Sequence, residues 1–144
     1  MKRKFNHKLI KSEKDLLSHL IAYLKKDGYN VKIEVPNMGQ SADLVATKGR
    51  WVTFIEAKMN NWERALNQCI AHETVGDYIY IAIASVSVSN KLREKINHLG
   101  YGIIHCNPYS GKCSIELKAQ CNSKIWFPQR TVFLEKMKEI EYAY

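Results

Sequence analysis

A chain of 144 residues is long enough to bury a hydrophobic core and has the usual size of one domain. Hydrophobic residues make up 46% and charged residues 25%, which excludes wholesale disorder, and a net charge of +8 favours a polyanionic partner. The longest apolar run, from Tyr78 to Val88, is about half as long as a membrane-spanning helix requires, and the basic start lacks the apolar stretch of a signal peptide. We therefore expect a cytoplasmic protein with no membrane partner.

Apolar periodicity predicts alternating helices and strands along the chain. A first helix begins after the N-cap Ser12 and ends at Gly28. Three strands are predicted to follow it, over 29–35, 43–47 and 51–58, with a polar turn over 36–41. The remaining patterns predict a helix over 61–73, a strand over 77–84, a helix capped by Ser89 or Asn90, strands over 101–106 and 112–118, and a last helix over 129–141.

This order of elements predicts an α/β fold with a mixed central β-sheet flanked by helices. Antiparallel strands come first, and parallel crossovers come later. Because no GxGxxG follows the first strand and no P-loop is present, we expect no nucleotide cofactor.

The four cysteines contain no CxxC pair. Cys106 and Cys113 flank a predicted turn, so a cross-strand thiol pair is the simpler interpretation. The alternative is a zinc site built from these two cysteines together with His105 and Cys121, although the ligand spacing is irregular.

Charged residues gather at one end of the second and third predicted strands. Asp43 begins the second strand, and Glu56 and Lys58 lie two residues apart near the end of the third. If these strands form a hairpin, two carboxylates and an ammonium group meet there. The carboxylates of Asp43 and Glu56, with the backbone carbonyl of Ala57, suit Mg²⁺, and Lys58 is placed to orient a water or to stabilise charge on a phosphate. The ordinary alternative is a solvated Glu–Lys pair on a strand.

The same residues resemble the bipartite motif of the PD-(D/E)XK nuclease superfamily. The matching segments are ADLVA over 42–46 and FIEAK over 54–58, and the helix that follows, WERALNQ over 62–68, also resembles that of the family. The chain departs from the pattern in two places: Ala42 replaces the leading proline, and His72 replaces the tyrosine of QxxxY, which weakens a RecB-type exonuclease interpretation. The similarity is strongest over 12–84 and extends to about 118.

The resemblance implies a single restriction-endonuclease-like domain over 1–144, with a core over 12–118 and a C-terminal helix over 129–141. It implies metal-dependent hydrolysis of phosphodiester bonds, with Asp43 and Glu56 as metal ligands and Lys58 as the catalytic lysine. Mg²⁺ is the expected cofactor, and Mn²⁺ is expected to substitute for it. The resemblance also places Gln68 near the site.

Two further carboxylates are candidates for an additional metal or water ligand under this resemblance. Glu13 lies in the first turn of a helix, where the helix dipole alone accounts for a carboxylate. Glu34 alternates with apolar strand residues and is equally typical of a solvent-facing position. His72 is predicted to lie at the surface or in packing and not to bind the metal.

The leading hypothesis is a Mg²⁺-dependent DNA endonuclease of the restriction, homing or junction-resolving type, acting on double-stranded or branched DNA as a homodimer. Six basic residues are the candidates for contacts with DNA phosphates: Lys2, Arg3, Lys4, Lys48, Arg50 and Arg64. The alternative from another class is a non-catalytic nucleic-acid-binding or assembly protein that retains the nuclease fold. An RNA-directed nuclease is a third hypothesis, supported only by the charge.

Overall fold

The computed structural model describes residues 7–143, and this part of the chain contains four helices and six strands. The helices in that part are α1 (Glu13–Lys26), α2 (Trp62–Ile70), α3 (Asn90–His98) and α4 (Phe127–Met137). The strands are β1 (Asn30–Asn37), β2 (Gln40–Lys48), β3 (Trp51–Lys58), β4 (Tyr78–Ala84), β5 (Gly102–Cys106) and β6 (Cys113–Leu117).

The strands of the described fold form one mixed sheet of six, in the order β1-β2-β3-β4-β5-β6. β1, β2 and β3 are antiparallel neighbours, β3, β4 and β5 are parallel, and β6 returns antiparallel to β5. Because adjacent parallel strands need a crossover, α2 connects β3 to β4 and α3 connects β4 to β5. The predicted change from antiparallel strands to parallel crossovers is confirmed.

Helices cover both faces of this sheet. α1 starts after Ser12, whose side chain accepts a hydrogen bond from the Asp15 N–H, and buries leucines on one face of the sheet. The opposite face is covered by α2, α3 and α4, which contribute Leu66, Ile96 and Phe133 to a second hydrophobic cluster. The arrangement confirms an α/β domain with a mixed central sheet flanked by helices.

The turn between β1 and β2 is tighter than predicted. β1 runs to Asn37 and β2 starts at Gln40, so only Met38 and Gly39 connect them, with φ of 52° and 77°. Two successive residues with positive φ are typical of a type I′ hairpin turn. The prediction of a longer polar turn was wrong because methionine is not among the residues that mark such turns.

The bounds of two helices also differ from the prediction. α2 ends at Ile70 and not at residue 73, and residues 71–75 form turns. α4 starts at Phe127 and not at residue 129, because Pro128 occupies its first turn, where a missing N–H costs nothing, and it ends at Met137 and not at residue 141. Among the described residues, no helix has both the length and the apolar character needed to cross a membrane.

Cys106 and Cys113 are cross-strand partners in the β5–β6 hairpin, with Cα atoms 4.1 Å apart, and form a disulfide. The cross-strand interpretation is therefore correct. Because the disulfide uses two of the thiols that the alternative zinc site needs, that site does not form here. Cys69 is a buried free thiol and Cys121 an exposed one.

Candidate active site

The hairpin of β1 and β2 changes faces in the middle of its length. Val31 packs on the α1 side of the sheet, whereas Val35, an even number of residues later, packs on the α2 side. Between them Glu34 has a φ of 49°, in the left-handed region that non-glycine residues rarely adopt. Asp43 lies opposite Glu34, because Val35 pairs with Ala42 in an otherwise continuous register. The switch leaves Asp43 between Ala42, which packs on the α2 side, and Leu44, which packs on the α1 side.

Near Asp43, hydrogen bonds to side chains replace the backbone hydrogen bonds between β2 and β3. The regular pairing of the two strands ends at Leu44 and Ile55. Beyond it, the Ala57 N–H donates to Asp43 Oδ2 over 2.8 Å, and the Asp43 N–H donates to Glu56 Oε2 over 3.1 Å. The two carboxylates predicted to meet at this end of the sheet are therefore adjacent, and each is held by a backbone donor of the neighbouring strand.

Glu56 is fully buried, which is rare for a carboxylate. Its Oε2 also lies 3.3 Å from Nε2 of His72. Its Oε1 has no hydrogen-bond partner anywhere in the described part of the chain. A buried carboxylate oxygen without a donor is costly unless a ligand binds it.

His72 does not lie at the surface. It is fully buried, and its ring stacks on Phe54 with the ring centroids 4.4 Å apart. The expectation of packing is correct, but the hydrogen bond to Glu56 was not foreseen. A sequence signal for the burial exists, because His72 continues the helical spacing of the buried residues Ala65 and Cys69.

Lys58 ends β3 beside the first turn of α1. Its Nζ lies 3.9 Å from Oε1 of Glu13, and its side chain is only 17% exposed. Of the two extra carboxylates considered from the sequence, Glu13 therefore reaches the lysine. Glu34 is exposed and lies across the β1–β2 register from Asp43.

Negative charge outweighs positive charge at the site, because the carboxylates of Asp43, Glu56 and Glu13 lie around the ammonium group of Lys58. Partial burial, together with the nearby Glu56 carboxylate, raises the pKa of Asp43 from 3.8 to about 6, although the Ala57 N–H and the Lys58 ammonium group oppose the rise. Burial and the same two carboxylates also raise the pKa of the Cys69 thiol. A cation bound between the carboxylates would relieve this repulsion.

The donor set suits a hard cation that retains waters. Within residues 7–143, no cluster of three or more His, Cys, Asp or Glu side chains forms a ready-made metal site. The Oε1 atom of Glu56 and the carboxylate of Asp43 are oxygen donors of the kind that Mg²⁺ takes from proteins, with waters completing the shell. The residues present therefore fit a magnesium ion held by Asp43 and Glu56, with the Ala57 carbonyl as the third donor predicted from the sequence.

Gln68 lies on α2, the helix that follows β3. The oxygen of its side-chain amide is buried and accepts no hydrogen bond from any described residue. It is thus a buried acceptor without a donor among the described residues.

The residues predicted to contact DNA are dispersed. Lys48 and Arg50 flank the turn before β3, at the opposite end of that strand from Lys58, and β3 is about 25 Å long. Arg50 packs its guanidinium on the Trp51 ring, 4.6 Å from the centroid. Arg64 is exposed in the first turn of α2, a few residues after β3 ends. The other three candidates lie outside the described residues: Lys2, Arg3 and Lys4.

Comparison with known proteins places the fold but not the activity. No family model and no curated protein matches the sequence. Among solved structures, SPO1766 from Silicibacter pomeroyi, a protein of unknown function, superposes with a TM-score of 0.62 at 17% identity, over 85% of this chain and 81% of its own. An fdxN element excision controlling factor protein from Anabaena variabilis superposes with a TM-score of 0.52 at 16% identity, over 69% of this chain and 96% of its own. An XisH family protein from Nostoc punctiforme gives a TM-score of 0.51 at 14% identity, over 68% of this chain and 96% of its own. The chain thus shares its α/β fold with XisH family proteins.

Proposed function

We propose that this chain is a Mg²⁺-dependent DNA endonuclease with the PD-(D/E)XK arrangement of catalytic residues. The observation that carries the proposal is the adjacent pair of carboxylates, Asp43 and Glu56, at the end of the β2–β3 hairpin beside Lys58. Each carboxylate accepts a hydrogen bond from a backbone N–H of the neighbouring strand. The buried Oε1 of Glu56, which lacks a donor among the described residues, supports a cation as the missing partner. A solvated strand pair, the ordinary alternative, does not account for a fully buried glutamate.

Each residue of the site has a definite task under this proposal. Asp43 and Glu56 hold the metal, and the backbone donors on their other oxygens keep the two carboxylates from rotating away. When bound, Mg²⁺ supplies charge stabilisation at the scissile phosphate and acidifies a water. Lys58 donates to the attacking water or to a phosphate oxygen. Glu13 holds the lysine on the α1 side of the site.

DNA is proposed as the substrate from charge and from one structural neighbour. The net charge of +8 provides cations for phosphate contacts. One structural neighbour is named for controlling excision of the fdxN element. We propose a role on DNA for this chain as well. A homodimer would supply one site for each strand, and a cytoplasmic location belongs to the same proposal.

Cleavage of supercoiled plasmid tests the proposal directly. The wild-type protein with Mg²⁺ is expected to nick or linearise the plasmid, whereas Asp43→Ala, or EDTA added to the wild type, is expected to abolish cleavage. Glu135→Ala is the matched control because it removes an exposed carboxylate on α4, a helix that carries none of the candidate site residues. Cleavage that persists in Asp43→Ala or in EDTA contradicts the proposal.

The same assay separates the other candidate functions. DNA binding without cleavage by the wild type would favour the non-catalytic binding protein instead. Comparing linear duplex, a four-way junction and RNA distinguishes the restriction or homing type, the junction-resolving type and an RNA-directed nuclease. If phosphate contacts dominate the affinity, log K falls linearly with log salt concentration, and a flat response contradicts the DNA-contact part of the proposal.

A further inference from the structure

Three buried side chains form a continuous hydrogen-bonded chain behind the site. Asn37 Nδ2 lies 3.0 Å from His72 Nδ1, and His72 Nε2 lies 3.3 Å from Glu56 Oε2. Asn37 is 3% exposed, and the other two residues are fully buried. The chain joins the end of β1, the turn after α2 and the middle of the sheet.

The contacts of Asn37 determine which nitrogen of His72 carries the proton. Asn37 Nδ2 also donates to the Ala71 carbonyl oxygen over 3.0 Å. The amide nitrogen must face this carbonyl, because the amide oxygen in its place would put two acceptors together. The same nitrogen then donates to Nδ1 of His72, which must present a lone pair. The ring is therefore neutral with its proton on Nε2, and Nε2–H donates to Glu56.

A neutral donor has a specific advantage at this position. It fixes the orientation of the Glu56 carboxylate through Oε2 and leaves the negative charge of the group intact for a cation. A lysine or arginine in the same place would fix the carboxylate but neutralise it. With Oε2 occupied by His72 and by the Asp43 N–H, Oε1 is the oxygen left to bind a ligand.

We propose that His72, held by Asn37, is a positioning residue that orients Glu56 for metal binding, an inference that rests on the proposed function. Groups that orient metal ligands in this way change metal affinity or activity by about 10- to 100-fold when they are removed. A merely structural role would affect folding without changing affinity. The two roles are therefore separable by experiment.

Two substitutions of the histidine and one matched control make the test. His72→Phe keeps a ring to stack on Phe54 but removes both hydrogen bonds. His72→Gln keeps one donor and one acceptor without the ring. Tyr101→Phe is the control, because it removes the partly buried hydrogen bond from the Tyr101 hydroxyl to Glu73 Oε2, 2.7 Å long, without touching Glu56.

The principal readout is the Mg²⁺ dissociation constant, measured by calorimetry, with the thermal midpoint of each variant measured alongside. We expect His72→Phe to weaken binding by about 10- to 100-fold and His72→Gln to stay within about threefold of the wild type. Tyr101→Phe is expected to lower the midpoint and to bind Mg²⁺ like the wild type. Unchanged affinity in folded His72→Phe overturns the proposal, as does a loss in His72→Gln equal to that in His72→Phe.

Nitrogen-15 NMR of the wild-type imidazole gives a second readout that needs neither a variant nor a metal. The expected spectrum has the proton on Nε2 and a bare Nδ1. A proton on Nδ1 overturns the proposal even if His72→Phe fails to fold. A wild-type protein that binds Mg²⁺ but cleaves nothing overturns the proposed nuclease function alone, because the affinity and NMR measurements still decide the role of His72.

Discussion

Replacing Asp43 with Asn is expected to stabilise the metal-free protein at pH 8 while abolishing cleavage. The wild-type carboxylate is partly buried and lies beside Glu56, and together these raise its pKa from 3.8 to about 6. The folded state therefore holds the ionised carboxylate less favourably than the unfolded chain does. An amide keeps an oxygen to accept from the Ala57 N–H and carries no charge.

The expected size follows from the pKa difference between the two states. A rise from 3.8 to about 6 corresponds to about 3 kcal/mol in favour of the neutral form. Because Asp43 keeps some contact with solvent, which screens the interaction, we expect the variant to be about 1–2 kcal/mol more stable at pH 8. Between the two pKa values the folded state binds the proton more tightly, so wild-type stability falls as pH rises from about 4 to about 6. The gain in stability of Asp43→Asn over the wild type therefore reaches its full size above pH ~6 and is about half as large at pH ~5.

Urea unfolding in EDTA at pH 5 and pH 8 measures both values. Asp27→Asn is the control, because Asp27 is an exposed carboxylate and its removal should cause no comparable gain. Adding Mg²⁺ should then stabilise the wild type but not Asp43→Asn, since only the wild type keeps both ligands. A variant that is less stable than the wild type at pH 8, or a difference that does not change with pH, would refute the reasoning.

Two further predictions concern the lysine and the opposite end of β3. Lys58→Met is expected to slow plasmid cleavage by at least about 100-fold, because under the proposed function its ammonium group acts at the reacting phosphate. DNA affinity, measured by fluorescence anisotropy, is expected to change by less than about threefold, and a comparable loss of both would mean that Lys58 mainly holds the substrate. Arg130→Met is expected to lower the free energy of unfolding by about 3 kcal/mol, because it leaves the buried Asp77 carboxylate without its guanidinium partner at 3.1 Å. Urea unfolding measures that loss, and a change in cleavage per folded molecule would contradict a purely structural role for Arg130.

The parts of the site that adjacent strands bring together were predictable from the sequence. Alternating apolar residues located the two strands, and a short connection implied a hairpin, so Asp43 and Glu56 had to meet near its open end. The order of helices and strands likewise predicted the mixed sheet. Local patterns were sufficient because each of these features joins elements that are neighbours along the chain.

Contacts between distant segments were not predictable in the same way. Asn37 and His72 are 35 positions apart and meet only because α2 ends early and the following turn packs on the sheet. The change of faces at Glu34 escaped prediction because it depends on a left-handed backbone at a residue that rarely adopts one. Both features arise from tertiary packing, which hydrophobic periodicity and secondary-structure propensity do not encode.

The two ends of β3 show that this fold can compensate a buried aspartate where stability alone is required. At the start of the strand, Asp77 Oδ2 accepts the Val52 N–H over 2.8 Å and is neutralised by Arg130. At the other end, Asp43 also accepts a backbone N–H, but burial and the Glu56 carboxylate outweigh the opposing Lys58 ammonium group, and the pKa of Asp43 is raised to about 6. The same carboxylate–amide contact is thus paired with a guanidinium group at one end and only partly compensated at the other. Since close compensation was available elsewhere in this sheet, the partly compensated pair of carboxylates supports the proposal of a binding site here, and a divalent cation is the ligand that the two carboxylates suit best.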